Sequence, residues 1–211
     1  MAASSARDRP TRGHERPIAR INVGRVDRST LAQKIVEERG GQINELPRYD
    51  MSINTTGCCP KFNPEGWDGQ DLHSRDKPMV RAVTMSAMHV PLNMGRVFSR
   101  VQGHIADVGA LDPNDCIVLT RDISPWASEH IFPVGKPVED EEMTTLSGDF
   151  ITKVFEGPYR EARNRYQGMH DLVRTRGGTP GDVYFFYTTC PRCAKAYGKN
   201  DVVGVAETCA A

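Results

Sequence analysis

Two cysteine pairs, Cys58-Cys59 and Cys190-x-x-Cys193, stand 131 residues apart (190 − 59), and any fold for this chain has to accommodate both. Each pair has a proline beside or within it, Pro60 and Pro191, and the second follows an aromatic, strand-like run, Tyr184-Phe185-Phe186-Tyr187. A domain that begins and ends on a cysteine pair suggests a clasp joining its two edges. The spacing Cys-x-x-Cys suits either a zinc knuckle or a thioredoxin-like redox pair. A thioredoxin-type motif caps a long helix and needs further strands behind it, whereas residues 194–200 leave room for two turns and the chain then nearly ends. Four thiolates on Cys58, Cys59, Cys190 and Cys193 would satisfy a tetrahedral site for zinc or another thiophilic ion. Unliganded or disulfide-forming thiols are the alternative. Cys116 and Cys209 fall outside both pairs and read as a small core residue and a tail thiol.

Between the pairs, the order of elements repeats. Apolar residues alternate loosely over 80–90, as a strand requires, and Pro91 ends it. Met94, Val97, Val101, Ile105 and Val108 recur at steps of three or four, which predicts a helix stopping at Gly109. Residues 116–120 form a short apolar strand, and 129–134 a hairpin partner after the Ser124-Pro125-Trp126 turn. A strand over 150–155, a break at Gly157-Pro158, a second stripe (Tyr159, Ala162, Tyr166, Met169, Val173) and strands at 183–188 and 202–206 repeat that order. Gln102-Gly103 and Gln167-Gly168 sit at matching places, 65 residues apart (167 − 102). The expected fold is α+β: two pseudo-symmetric β-α-β-β units, about 80–138 and 142–207, forming one domain with an antiparallel sheet and two main helices.

Residues 1–50 differ from the rest. Arg7, Arg9, Arg12, Arg16, Arg20 and Arg25 stand against few bulky apolar residues, which predicts a disordered or weakly ordered extension ahead of a domain over 51–211. A transit peptide is the sharper reading of such an Arg/Ser/Ala-rich start, but Asp8, Glu15 and two prolines count against it. A short helix through Leu31, Ile35 and Val36 fits between Ser29 and Gly40-Gly41. Residues 59–76, rich in proline and glycine around Trp67, read as an ordered loop.

With 38% hydrophobic residues the chain can bury a core, and 27 basic against 27 acidic residues leave no net charge to attract nucleic acid or an anionic membrane. No apolar run approaches the roughly 18 residues that span a bilayer. A start without a secretory apolar core places the six cysteines in a reducing cytoplasm. No Ser-His-Asp order, phosphate-cradling glycine loop or dinucleotide fingerprint is present, so triad hydrolysis and a nucleotide cofactor drop out.

The second unit, with Phe155-Glu156-Gly157-Pro158-Tyr159, an amphipathic helix and the aromatic strand Val183-Tyr184-Phe185-Phe186-Tyr187, resembles the GyrI-like small-molecule-binding domain. A more specific resemblance over about 58–206 is to bacterial proteins labelled "hydrolase". They share Cys-Cys-Pro-Lys-Phe, Leu-Ser-Gly-Asp-Phe, Thr-Lys-Val-Phe-Glu-Gly-Pro-Tyr and Tyr-Thr-Thr-Cys-Pro-x-Cys-Ala-Lys-x-Tyr-Gly-Lys-Asn, found here at 58–62, 146–150, 152–159 and 187–200. The resemblance implies two pseudo-symmetric units around a cleft of aromatic and acidic side chains that takes small amphiphilic or cationic aromatic molecules. It also implies hydrolysis of an electrophile in some members. This chain lacks a recognisable helix-turn-helix, so it departs from the multidrug-sensing regulators of that fold.

Glu156, at a strand end before Gly157-Pro158, is the candidate general base for water, or a counter-charge for a cationic ligand; the plainer role is a carboxylate at a helix start. Glu129 is the second acidic candidate, and its neighbour His130 points to the opposite strand face. Trp126, Tyr159 and Tyr187 could wall a pocket by stacking, with Tyr187 preferred to Tyr184 because the two face opposite ways. Three functions remain open from the residues: a small-molecule hydrolase using carboxylate-activated water, a non-catalytic binding or sequestration module, and a metal- or thiol-responsive protein centred on the cysteines.

Overall fold

Alternation of side chains along 17 residues builds the longest strand, β1 (Asp71–Ala87). Val80, Ala82, Thr84 and Ser86 point to one side, Met79, Arg81, Val83 and Met85 to the other. In the computed structural model, which describes residues 43–111 and 117–210, β1 is flanked on both sides. The further strands are β2 (Val90–Pro91), β3 (Leu119–Ser124), β4 (Ala127–Pro133), β5 (Glu142–Glu156), β6 (Thr179–Tyr187) and β7 (Asp201–Cys209). The helices described are α1 (Met94–Asp107), α2 (Ala162–Thr175), preceded by a 3-10 turn at Tyr159–Glu161, and α3 (Pro191–Tyr197).

All seven strands form one antiparallel sheet ordered β2-β1-β4-β3-β6-β7-β5, and β1 also pairs with β5. The six longer strands therefore close on themselves, the last junction being the single pair Thr120↔Phe185 between β3 and β6. Chain order gives β1-α1-β3-β4 and then β5-α2-β6-β7, so the α+β fold of two β-α-β-β units is realised. The pairing β1–β5 and the seam β3–β6 lie where the two units meet.

Each unit covers the outer face of its own strands with its helix. Val101 and Ile105 of α1 pack on Val80, Ala82, Phe132 and Val134; Met169 and Val173 of α2 pack on Ile151, Val183, Phe185, Val202 and Ala206. The helices match at an offset of 68 (162 − 94), with buried Val101 and Ile105 corresponding to Met169 and Val173 at the same 68. The two Gln-Gly dipeptides, 65 apart, miss this register by three residues. Three residues are almost a full turn, so helical periodicity alone could not separate the two alignments. Contact between α2 and β7 is close because Gly204 has no side chain: a Cβ there would lie 2.5 Å from Met169 Sδ.

The inner face of the ring is filled rather than open. Met79, Leu119, Ile131, Leu146, Phe150, Tyr184, Phe186, Val203 and Val205 meet Tyr49, Phe62 and Trp67, which the arm 43–70 lays across them. Trp67 is fully buried, and its indole N–H donates to the Arg48 carbonyl at 3.1 Å. Burial of such a side chain contributes roughly 3–5 kcal/mol relative to alanine. The arm is tied to the sheet by Tyr49 Oη donating to the Thr188 carbonyl (3.1 Å), by the Val154 N–H donating to Asp68 Oδ1 (2.8 Å), and by the Thr152 hydroxyl donating to the Trp67 carbonyl.

Two boundaries differ from the sequence expectation. The packed body starts before residue 51, since Tyr49 is in the core and Ile43 bridges to His73. β1 starts at Asp71 rather than near Val80, because a bulge between Ser74 and Lys77, with Asp76 at φ 47°, interrupts the alternation that would have revealed it. The proposed extension up to residue 42, its short helix and the core reading of Cys116 lie outside the described residues. No helix among the described residues is long and apolar enough to cross a membrane.

Candidate functional site

Residues 188–200 leave the sheet between β6 and β7 and carry the second cysteine pair. Pro191, whose fixed φ suits the first helical position, starts α3, and Gly198 at φ 66° ends it in the left-handed conformation that glycine adopts without strain. Cys190 precedes the helix and Cys193 lies within it. The arm brings Cys58 and Cys59 to the same place, so all four Sγ atoms lie within 4.8 Å of one another. Cys58 and Cys59 Sγ are 3.6 Å apart, the Cys190 N–H donates to Cys59 Sγ at 3.4 Å, and Thr56 Oγ1 lies 3.2 Å from Cys193 Sγ. Zinc–sulfur bonds of about 2.3 Å in a tetrahedron place sulfurs about 3.8 Å apart, so the donor set fits such an ion after only small side-chain adjustment. The surrounding backbone is fixed: Tyr197 Oη donates to the Cys59 carbonyl (2.8 Å) and Tyr159 Oη to the Thr189 carbonyl (2.7 Å).

The thiols are electrostatically unequal. The Thr56 hydroxyl brings Cys193 down to about 6, while burial pushes Cys59 up to about 12. At Cys58 the Cys59 thiol favours ionisation, but Cys193 and Cys190 oppose it and the net direction is upward. Packed this closely, the sulfurs accommodate one thiolate readily; further ionisation calls for a cation among them.

Glu156 ends β5 opposite Asp201 of β7. Its side chain is largely exposed, with Oε2 3.7 Å from Lys199 Nζ, and Lys199 also reaches the buried Asp201 at 3.1 Å. Glu156, Gly157, Lys195, Lys199 and Asn200 border a depression of about 340 Å³ against α3. Gly157 is at φ 137°, and a Cβ there would stand 3.0 Å from Glu161 Oε2. Its carbonyl accepts from Arg165 Nη2 (2.6 Å) and Asn200 Nδ2 (2.7 Å), which pins the turn after Glu156.

Glu129 is held differently. Buried on the inner face, it accepts from Arg81 Nε and Arg121 Nε at 2.5 Å each; Arg81 also pairs with Glu142 (2.9 Å), and Arg121 pairs with Asp182 and lies over the Tyr184 ring. Burial opposes its charge, yet the two arginines outweigh that and hold its carboxyl below the usual range. A carboxylate so engaged is a poor proton acceptor. His130, one residue on, faces the other way, between the hydroxyls of Thr84 (2.8 Å) and Thr120 (2.9 Å) and the edge of Phe98.

The structure thus gathers Glu156, Tyr159, Tyr187 and the four cysteines at one end of the sheet. The Tyr159 and Tyr187 rings are 6.0 Å apart, and burial raises both phenols, leaving them donors rather than bases at neutral pH. Trp126, exposed on the β3–β4 turn, is not part of that group: the pairing Thr120↔Phe185 makes β3 run away from Tyr187 towards Trp126. Glu129 lies on the Trp126 side of the same pairing. Lys195, Lys199, Arg165 and Thr56 were not among the sequence candidates. The two lysines stand in the shared string Ala-Lys-x-Tyr-Gly-Lys-Asn, which was the available signal; Arg165 was hidden in a helical stripe read only for its apolar members.

A family model described as "Bacterial hydrolase" matches residues 49–208. No curated protein matches the chain.

Proposed function

Because the chain belongs to the bacterial hydrolase family, we propose that it is a hydrolase of a small amphiphilic molecule on a GyrI-like frame, with Glu156 as the carboxylate that activates water. The observation carrying this reading is that Glu156 borders a depression of small-molecule size, about 340 Å³, on the pinned turn at Gly157. In the step envisaged, a water oxygen adds to an electrophilic carbon while Glu156 accepts the water proton. The bond to the leaving group breaks, and the proton passes to that group, so one water is consumed per bond cleaved. Glu129 is the weaker base because its charge is already committed to Arg81 and Arg121.

A second part of the proposal concerns Cys58, Cys59, Cys190 and Cys193, which would hold one zinc or similarly thiophilic ion. Four protein sulfurs leave no open position for water, so its role would be structural, welding the arm to the β6–β7 end. Free thiols in this arrangement suit a reducing compartment, the cytoplasm. The pure binding reading differs in having no rate to lose. The test is Glu156→Gln on full-length protein with its metal content unchanged. Turnover of a small ester should fall by roughly a hundredfold or more while affinity changes little. Full activity in that variant would remove Glu156 from the chemistry.

A further inference from the structure

We infer that the molecule taken by the depression at Glu156 carries an anionic group. Its location rests on the hydrolytic reading above; its charge rests on separate observations. Lys195, on the exposed side of α3, and Lys199 both border the depression. Behind the rim lies Arg165, only 2% exposed, whose Nη2 donates to the carbonyls of Gly157 (2.6 Å) and Pro158 (3.0 Å), while Nε and Nη1 have no partner. A guanidinium does not shed its proton when buried. Among the described residues no carboxylate pairs with it, so a full positive charge sits in a low-dielectric setting under the turn that Glu156 leads into.

Counting only the side chains that line the depression, Lys195 and Lys199 against Glu156 give +1 (2 − 1) at the mouth before any ligand arrives, while behind the rim the charge of Arg165 is set against Asp201 and Glu161. An anion beside the scissile bond would offset the lysine charge, and Lys195, with no ion-pair partner among the described residues, is placed to meet it directly. A cationic aromatic ligand finds poorer conditions, because no aromatic ring borders the depression and two lysines stand against one glutamate on its rim. The absence of side chains at Gly157 and Gly198 lets a small ligand reach the backbone there. The class that fits is a small amphiphilic anion whose hydrolysable bond lies within reach of Glu156.

The test compares 4-acetoxy-3-nitrobenzoate with its neutral methyl ester, two acetates differing in one charge. Wild-type protein should favour the anion in kcat/KM by about twofold to fivefold, the scale of one exposed ion pair. Lys195→Glu, a surface change, should abolish or reverse that preference. Glu156→Gln should slow both esters together and keep their ratio. Hydrolysis of both esters without preference, or a preference untouched by Lys195→Glu, would overturn the inference and leave the hydrolytic reading standing. If neither ester is turned over, the hydrolytic reading fails for this chemistry and binding decides the charge by calorimetry with 3-nitrobenzoate and 3-nitrobenzamide. Tighter binding of the carboxylate, weakened by Lys195→Glu, supports the anion site; equal or absent binding removes it.

Discussion

The same connection in the two halves of the molecule is built in opposite ways. In the first unit β3 passes to β4 through Pro125 and Trp126 alone, a tight turn whose backbone is held by the Ser86 N–H donating to the Trp126 carbonyl at 2.7 Å. In the second unit the equivalent passage from β6 to β7 takes residues 188–200 and includes α3, the second cysteine pair, Lys195 and Lys199. The frame is therefore duplicated and the chemistry is not. One end of the sheet ends in exposed apolar side chains, Met85, Ile123 and Trp126, and the other in thiols and charges. Symmetry of packing places few demands on a loop, so the loop is where the halves were free to diverge.

The difference is best probed where the effect should be largest. Cys190→Ser removes one of four sulfurs and should abolish stoichiometric metal, with stability falling by more than about 4 kcal/mol, the range reserved for lost metals and core defects. Metal analysis together with thermal melting measures both. Retention of metal would remove Cys190 from the ligand set, and an unchanged melting temperature of wild-type protein in the presence of a chelator would mean that the long connection needs no ion and that the two halves are mechanically alike.

Glu129→Gln comes next. It leaves Arg81 and Arg121 without their shared buried carboxylate, and losing one member of such a group costs roughly 3 kcal/mol. Arginines that remain about a quarter exposed can recruit water, so the cost should fall at the lower end of that range. Denaturant unfolding gives the number. Turnover per folded molecule should be unchanged, since the change is remote from the α3 end; a specific loss of turnover would move the active site to the first unit.

Acid should then separate the units. The first unit offers Ser128, His130 and Phe132 to α1, where the second offers Val202, Gly204 and Ala206 to α2. Burial brings His130 down to about 4, against the weaker pull of Asp122 and Glu129. The folded state thus favours the neutral ring. Its contribution to stability is complete above the unfolded value near 6.5 and is lost as pH falls from there towards 4, amounting to up to about 3 kcal/mol. Hydrogen exchange at pH 5 should show α1 opening before α2, and His130→Gln should flatten the difference.

How much of this was legible in the sequence follows from the physics of each part. The duplicated frame was readable because strand and helix periodicities survive in Val101, Ile105, Met169 and Val173. The meeting of the cysteine pairs was readable as a geometric expectation, since two pairs of ligands are of use only together. The filled inner face was not: Tyr49, Phe62 and Trp67 lie in a stretch with no periodicity, and only the closed ring shows that they plug it. Nor was the arginine clamp on Glu129, because Arg81 and Arg121 reach it from β1 and β3, 48 residues away in one case and 8 in the other.

Trp126 offers the smallest effect and the cleanest choice between the two ends. The residue is 61% exposed, and what holds the turn is backbone, so Trp126→Ala should change stability by no more than about 0.5 kcal/mol. Because β3 leads away from Tyr187, the ring is out of reach of a ligand at Glu156, and kcat/KM for any hydrolysed ester should match wild type. An unaltered fold with a severalfold loss of kcat/KM would show instead that the ligand sits between the hairpin tips over Met85 and Ile123. In that case the short connection, with its exposed aromatic ring, would be the functional half, and the cysteine-bearing connection a pure brace.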